Sequence, residues 1–109
     1  MQWGWKVARV LVVDDDYGVK NLFLEALQES FSLSFTGTVE ETRNKLAEEN
    51  FDLVFLDVKL PDGDGLKLLE EIGKDVTVCV ITGFGTIGMA VKAMKLGAYD
   101  FLEKPLSIE

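Results

Sequence analysis

Apolar runs and mixed segments alternate along the whole 109-residue chain. The runs that we predict to be strands cover residues 7–13, 52–58, 77–82 and 99–105, with a weaker one at 33–37. Three of them, in "VARVLVV", "DLVFLDV" and "TVCVIT", are continuously apolar instead of alternating with polar residues. Such runs are typical of strands that are covered on both faces. The pattern therefore predicts a parallel sheet buried between helices.

The segments between the strands have the spacing of helices. In the first and last of these segments, apolar residues recur along one helix face, and we expect both stripes to pack in the core. The first stripe consists of Val19, Leu22, Phe23, Ala26 and Leu27, and the last consists of Ile87, Ala90, Val91 and Met94.

Two further helices are predicted between these. The stretch 38–49 is more polar and opens with Thr38 followed by Glu41, a capping-box pattern, so we expect a surface helix. The stretch 65–73 predicts a short helix. Its inward-facing residues are Leu66, Leu69 and Ile72, and the predicted helix stops are Gly73 and Gly97.

The order of these elements predicts the topology. Strands that alternate with helices imply right-handed crossovers and an α/β, flavodoxin-like, doubly wound sheet of five parallel strands in the order 2-1-3-4-5. We expect residues 1–109 to form a single domain. After the last strand the chain reads "PLSIE", where Ser107 resembles the cap of a final helix. We therefore expect a C-terminally truncated domain whose fifth helix is missing or shortened.

Charge and composition narrow the range of partners. The chain has 19 acidic and 11 basic residues, a net charge of −8, which repels phosphate backbones and anionic lipids. We expect no direct binding to nucleic acid or membrane and a cytoplasmic location. The single cysteine, Cys79, lies in an apolar run and is expected to be buried, and there is no histidine. Any metal should therefore be a hard cation that is bound by oxygen.

Acidic residues follow two of the predicted strands. Asp14, Asp15 and Asp16 come directly after strand one, and Asp57 ends strand three. Because the carboxyl ends of these strands meet where the sheet order reverses, the carboxylates should converge and require a cation. Mg²⁺ fits best, with Asp14, Asp15 and Asp57 as ligands. For Asp16 alone, capping of the following helix is the favoured interpretation.

Two other strands end in groups that suit phosphate chemistry. Strand four ends at Thr82 and strand five ends at Lys104. A carboxylate nucleophile, a cation, a hydroxyl and an ammonium at one rim are the parts that handle a phosphoryl group.

The motifs "VVDDD", "FLDVKLPDGDG", "VITG" and "LEKP" together resemble the receiver domain of bacterial two-component response regulators. The resemblance implies that Asp57 is phosphorylated by a sensor histidine kinase. It also implies that the backbone carbonyl of Lys59 joins Asp14, Asp15 and Asp57 as a Mg²⁺ ligand.

The same resemblance implies a switch, not a classical enzyme. Thr82 would bond a phosphoryl oxygen, Lys104 would pair with the phosphate, and Phe101 matches the aromatic switch position. More narrowly, residues 82–105 resemble receivers of the nitrogen-regulation class, whose parent proteins are sigma-54-dependent transcription activators. Receivers commonly dimerise through helix four, strand five and helix five, so a homodimer is a further expectation.

Two alternatives stay open at this point. Asp14 and Asp16 form a D-x-D pattern that resembles the nucleophile motif of aspartate-based phosphatases, where phosphate would be carried by Asp14. The chain could also be a receiver-like interaction module that works without phosphate. The position of a covalent phosphate distinguishes the phosphatase from a receiver.

Overall fold

The computed structural model describes residues 7–83 and 85–106. Its strands are β1 (Arg9–Val13), β2 (Ser32–Thr36), β3 (Leu53–Asp57), β4 (Lys59–Leu60), β5 (Gly63–Asp64), β6 (Thr77–Thr82) and β7 (Asp100–Glu103). Its helices are α1 (Tyr17–Leu27), α2 (Val39–Glu48), α3 (Gly65–Ile72) and α4 (Ile87–Lys95). The predicted cap at Ser107 lies outside the described residues. Within the described part, none of the helices combines the length and the apolar character that crossing a bilayer requires.

The main sheet is parallel and has the order β2-β1-β3-β6-β7. This is the predicted order 2-1-3-4-5, with β6 and β7 as the fourth and fifth long strands, so the predicted fold class is confirmed. The described residues contain four helices, each of which follows one of the first four long strands. The two-residue strands β4 and β5 form a separate antiparallel hairpin that was not predicted.

The sheet separates two apolar layers. In β1, Leu11 and Val13 face one layer and Val10 and Val12 face the other, and all four side chains are buried. This alternation explains why the strand has no polar face. The first layer packs under α2, α3 and α4, and the second packs under α1. Cys79 is buried as predicted, and burial, reinforced by Asp100, raises the pKa of its thiol to about 11.

The predicted apolar stripe of the last helix does not face the core. The side chains of Ile87, Val91 and Met94 are 87%, 48% and 47% exposed, while Ala93 is fully buried. Met89 and Leu96 pack beside Ala93 on the inward face of the same segment. Because the segment has apolar residues on two faces, periodicity alone favoured the wrong one. In α1 the predicted stripe is correct at its buried residues Val19 and Phe23, whereas Ala26 is exposed.

The helix ends follow the predicted signals closely. Asp16 caps α1 by accepting a hydrogen bond from the backbone N–H of Gly18. Thr38 caps α2, and Glu41 accepts from the N–H of Gly37 rather than from that of Thr38. Gly97 ends the α4 segment with φ 106°, a left-handed conformation that glycine adopts without steric cost.

One strand bound differs from the prediction in a way that matters for the site. The last strand was predicted to include Lys104, but β7 ends at Glu103. The backbone N–H of Lys104 still donates to the carbonyl of Thr82 at 2.9 Å, so the residue follows the strand direction toward the same edge. The peptide bond between Lys104 and Pro105 is cis.

Candidate functional site

Three carboxylates meet at the carboxyl edge of the sheet, and we call Asp14, Asp15 and Asp57 the acid site. One oxygen from each lies within 4.8 Å of the others. Asp57 ends β3 and Asp14 follows β1, and their residue exposures are 5% and 9%. Asp15 is exposed. The sheet topology therefore brings together the acids that the sequence pattern predicted.

Backbone contacts fix the two buried acids. The N–H of Asp14 donates to the carbonyl of Thr36 in the edge strand β2 at 2.9 Å. One oxygen of each carboxylate accepts from a nearby backbone N–H: Asp14 Oδ1 from Asp16 at 2.9 Å, and Asp57 Oδ1 from Lys59 at 3.2 Å. The other oxygen of each side chain, Oδ2, faces a third charged group, which forms an ion-pair network with the two acids.

The third charged group of this ion-pair network is the ammonium of Lys104. Its Nζ lies 2.6 Å from Asp14 Oδ2 and 3.3 Å from Asp57 Oδ2. Burial would lower the pKa of Lys104, but the pairs with Asp14 and Asp57 outweigh that effect and raise its pKa above the ordinary value. Lys104 is therefore a fixed positive charge at this edge.

Asp57 differs from an ordinary surface acid. Burial and the neighbouring carboxylate of Asp14 raise its pKa, while the N–H of Lys59 and the ammonium of Lys104 act in the opposite direction without cancelling the rise. The protein alone therefore does not fully offset the cost of the negative charge on Asp57. A further positive charge at the acid site would stabilise that form.

The acid site has the chemistry of a hard-cation site. Three carboxylate oxygens, one from each acid, lie within 4.8 Å of one another, and Asp14 and Asp57 share only one neighbouring ammonium, that of Lys104. Mg²⁺ prefers such oxygen ligands together with retained water, which the exposure of Asp15 permits. The residues fit the ion that the sequence predicted. Lys59 follows in β4, and the role of its carbonyl as a ligand stays a prediction.

The predicted switch residues lie on the neighbouring strands. Thr82 ends β6 and is fully buried. Phe101, in β7, is partly buried against the first core layer. A Cβ built at Gly85 would lie 3.0 Å from Phe101 Cε1, so the loop before α4 packs closely on this ring. The roles of Thr82 and Phe101 stay predictions.

Gly65 was missed as a site residue. It begins α3, where a Cβ would lie 2.3 Å from the carbonyl oxygen of Asp57 and 2.7 Å from Cα of Val58. Only glycine allows α3 to approach the phosphoacceptor candidate this closely. The "DG" at 64–65 is a sequence signal for a turn, but nothing in it indicates which backbone lies opposite.

An open cleft of about 370 Å³ adjoins the acid site. It lies between the loop before α1 and the loop before α2, and Pro61 also lines it. Its walls include Asp15, Tyr17, and Lys20, whose ammonium lies 5.3 Å from the ring centroid of Phe35. A group that approaches the acid site from solvent can enter through this cleft.

Comparisons with curated proteins point to one family. Residues 10–109 match the family described as the response regulator receiver domain. The response regulator protein PilR of Pseudomonas aeruginosa is 36% identical over 104 residues, and the nitrogen assimilation regulatory protein NtrX of Azorhizobium caulinodans is 36% identical over 106 residues. Each alignment covers 92% of this chain and 23% of the relative, so the chain spans less than a quarter of the length of these proteins.

Solved structures agree with this result. A receiver domain protein from Methanospirillum hungatei, described as CheY-like, has a TM-score of 0.87 and 29% identity, covering 94% of this chain and 86% of its own. The beryllofluoride-activated NtrC4 receiver domain dimer has a TM-score of 0.85 and 42% identity, covering 92% and 86%. The relatives named NtrX and NtrC4 support the narrower assignment to the nitrogen-regulation class. With the family match over residues 10–109, the chain belongs to the response regulator receiver domain family.

Proposed function

We propose that this chain is a phosphoacceptor switch in which Asp57 takes a phosphoryl group from a sensor histidine kinase. The observation that carries the proposal is the placement of Asp57. Its buried carboxylate lies between two further acids and the ammonium of Lys104, 3.3 Å away. A carboxylate nucleophile beside a cation site and a fixed ammonium is the arrangement that phosphoryl transfer requires.

The transfer step needs no base from this chain. An oxygen of the Asp57 carboxylate forms a bond to phosphorus while the phosphorus–nitrogen bond of the donor phosphohistidine breaks. The leaving imidazole keeps the electron pair of that bond and takes a proton from solvent. Because residues 1–109 contain no histidine, the donor phosphohistidine lies outside them. Asp14, Asp15, Asp57 and the Lys59 carbonyl would hold Mg²⁺, which would supply positive charge to the acids and to the phosphoryl oxygens.

The other rim residues act on the product. Lys104, already paired with Asp14 and Asp57, supplies positive charge to a phosphoryl oxygen. The Thr82 hydroxyl donates to another phosphoryl oxygen. The backbone carbonyl of Thr82 accepts a hydrogen bond from the N–H of Lys104, the residue after β7. A shift of Thr82 would therefore also shift β7, which contains Phe101. The domain then works as a signalling switch and not as a classical enzyme.

The exposed face of α4 is the proposed output surface. Ile87, Val91 and Met94 are exposed there, and Tyr99 is 75% exposed close by in sequence. Exposed apolar side chains in such a group mark interaction surfaces. We propose homodimerisation through this face, which is in line with the dimer named for the NtrC4 receiver. Transcription regulation through a longer protein, and a cytoplasmic location, belong to the same proposal because they follow from the family.

The phosphatase alternative is less well supported. Its D-x-D pattern would need Asp16 as a second functional acid, but Asp16 is exposed and its Oδ1 accepts from the N–H of Gly18 as a helix cap. The phosphate-independent alternative is disfavoured because Asp57, Thr82 and Lys104 all lie at the site edge.

Intact-protein mass spectrometry tests the proposal. The chain is incubated with acetyl phosphate, with MgCl2 or with EDTA. We expect one added phosphoryl group only with MgCl2, none in Asp57→Asn, and a normal yield in Asp16→Asn, the matched control. Equal yields with MgCl2 and EDTA, or a normal yield in Asp57→Asn, would contradict the proposal.

A further inference from the structure

Asp62 joins two segments that are far apart in sequence. It lies at the tip of the β4–β5 hairpin, between the paired residues Leu60 and Gly63. Its Oδ1 accepts from the N–H of Val39 at 2.7 Å, and its Oδ2 accepts from the N–H of Glu40 at 3.1 Å. These are the first two residues of α2, so both carboxylate oxygens are bound to the start of a helix 22 or 23 residues away in the chain.

The two bonds complete the start of α2. The next N–H, that of Glu41, donates to Thr38 Oγ1 at 3.0 Å. The first N–H groups of a helix have no partner inside the helix, and a carboxylate is a favourable acceptor at that end. The N–H of Val39, followed by that of Glu40, lowers the pKa of Asp62, as expected for an acid bound in its charged form.

The start of α2 is a firm support for this contact. Thr42, which is fully buried, places its Oγ1 2.7 Å from both the carbonyl of Thr38 and Oγ1 of Thr36 in β2. Val39 is also buried, and a Cβ built at Gly63 would lie 3.1 Å from its Cγ2. The hairpin therefore rests on the first helical turn, and the turn is itself fixed to the sheet.

The other end of the hairpin reaches the acid site. Lys59, the first residue of β4, donates its N–H to Asp57 Oδ1 at 3.2 Å and pairs with Asp64 in β5. The N–H of Gly65, the next residue, donates to the carbonyl of Val58 at 2.7 Å. Residues 57–64, which we call the hairpin segment, thus run from the acid site to Asp62 and back.

We propose that Asp62 is a positioning residue that holds the hairpin segment in the geometry in which the acid site binds its cation. Without the bonds to α2, the tip of a two-residue hairpin would be free to move, because so short a ladder contributes little stability of its own. The site would then have to order this segment on binding, which lowers affinity. The part that concerns Mg²⁺ rests on the proposed function.

Amide hydrogen exchange and Mg²⁺ titration, both followed by NMR, test this role in the whole chain. The test variant is Asp62→Ala, and the matched control is Thr38→Ala, which removes the Oγ1 cap of Glu41 from the same helix end but neither of the hydrogen bonds to Asp62. In Asp62→Ala we expect the amides of Lys59 and Gly65 to exchange about 10-fold faster, and the Kd for Mg²⁺ to rise about 5-fold to 10-fold. In Thr38→Ala we expect faster exchange only at the start of α2 and a Kd within about twofold of the original.

Several results would overturn the proposal. Unchanged exchange at Lys59 and Gly65 in Asp62→Ala is one, and an equal rise of Kd in Thr38→Ala is another. If Asp62→Ala does not fold, Asp62→Asn replaces it. The asparagine keeps an acceptor for Val39 but loses the charge, so intermediate values are expected, and original values would overturn the proposal.

Failure of the proposed function would appear in a different measurement: the chain with its original sequence would bind no Mg²⁺. The role of Asp62 would then be decided by the exchange data alone.

Discussion

Replacement of Gly65 by alanine should displace the backbone of Asp57, the proposed phosphoacceptor. The new Cβ would lie 2.3 Å from the carbonyl oxygen of Asp57, 2.7 Å from Cα of Val58 and 2.9 Å from the carbonyl oxygen of Val58. Non-bonded carbon atoms normally keep about 3.5–4.0 Å apart, so the start of α3 and the end of β3 must separate by about 1 Å. All three contacts are with backbone, so no side chain can rotate to relieve them.

The energetic cost can be assembled from its parts. Overpacking of this kind costs about 1–3 kcal/mol. Separation also weakens the hydrogen bond from the N–H of Gly65 to the carbonyl of Val58, 2.7 Å long, which is worth about 1 kcal/mol. The higher helix propensity of alanine stabilises the folded state by up to about 1 kcal/mol and offsets part of this cost. We expect a net loss of about 1–4 kcal/mol in the free energy of unfolding.

Function should suffer more than stability. A displacement of about 1 Å at a reacting group can cost on the order of 100-fold in rate. We therefore expect phosphorylation of Gly65→Ala by acetyl phosphate to slow by about that factor under conditions where the protein is folded. Urea unfolding followed by circular dichroism measures the stability, and intact mass against time measures the rate.

The control is Gly88→Ala, because a Cβ there meets only Thr86 Oγ1, at 3.9 Å. Gly88 lies in the exposed first turn of α4, so alanine should stabilise the fold by up to about 1 kcal/mol and leave phosphorylation unchanged. A loss below about 1 kcal/mol in Gly65→Ala, with a rate within threefold of the original, would refute the close-approach argument.

Three further predictions concern single side chains. Asp57→Asn should raise the free energy of unfolding on the order of 1 kcal/mol at neutral pH, since it removes an under-compensated buried charge. The folded-state pKa of Asp57 is raised, so the original protein takes up a proton on Asp57, and loses the cost of the buried charge, as the pH falls through that pKa. The stability advantage of Asp57→Asn over the original protein should therefore shrink as the pH falls. An advantage that grows in acid would contradict this sign. Asp16→Ala should cost about 1 kcal/mol through the lost cap and leave the phosphorylation yield unchanged; equal loss of phosphorylation in Asp16→Ala and Asp57→Asn would overturn the division of roles. Val91→Lys should change stability by less than about 0.5 kcal/mol, whereas Ala93→Lys, at a fully buried position of the same helix, should be strongly destabilising; similar urea midpoints for the two would contradict the assigned faces.

The fold could be predicted from sequence where the hydrophobic signal was unambiguous. Continuous apolar runs located β1, β3 and β6, because both faces of these strands are buried. The inward face of α4 could not be predicted, because its buried residue is the small Ala93 while larger apolar residues lie on the exposed face. The β4–β5 hairpin was missed because two-residue strands show no periodicity.

The candidate site also contains some residues that could be predicted from sequence and others that could not. Asp14, Asp15 and Asp57 could be placed together because strand ends in a parallel sheet meet at one edge. Gly65 and Asp62 could not, because their contacts depend on how closely two backbone segments approach, and single-sequence patterns do not encode that distance. These two residues show where the geometry adds to the motif.

Mapping the phosphorylated residue in the unmodified chain tests the central claim most directly. After incubation with acetyl phosphate and MgCl2, borohydride reduction converts an aspartyl phosphate to homoserine, which peptide mass spectrometry locates. The account predicts homoserine at position 57 and none at position 14. Homoserine at position 14, or at neither position in a folded and phosphorylated sample, would contradict it.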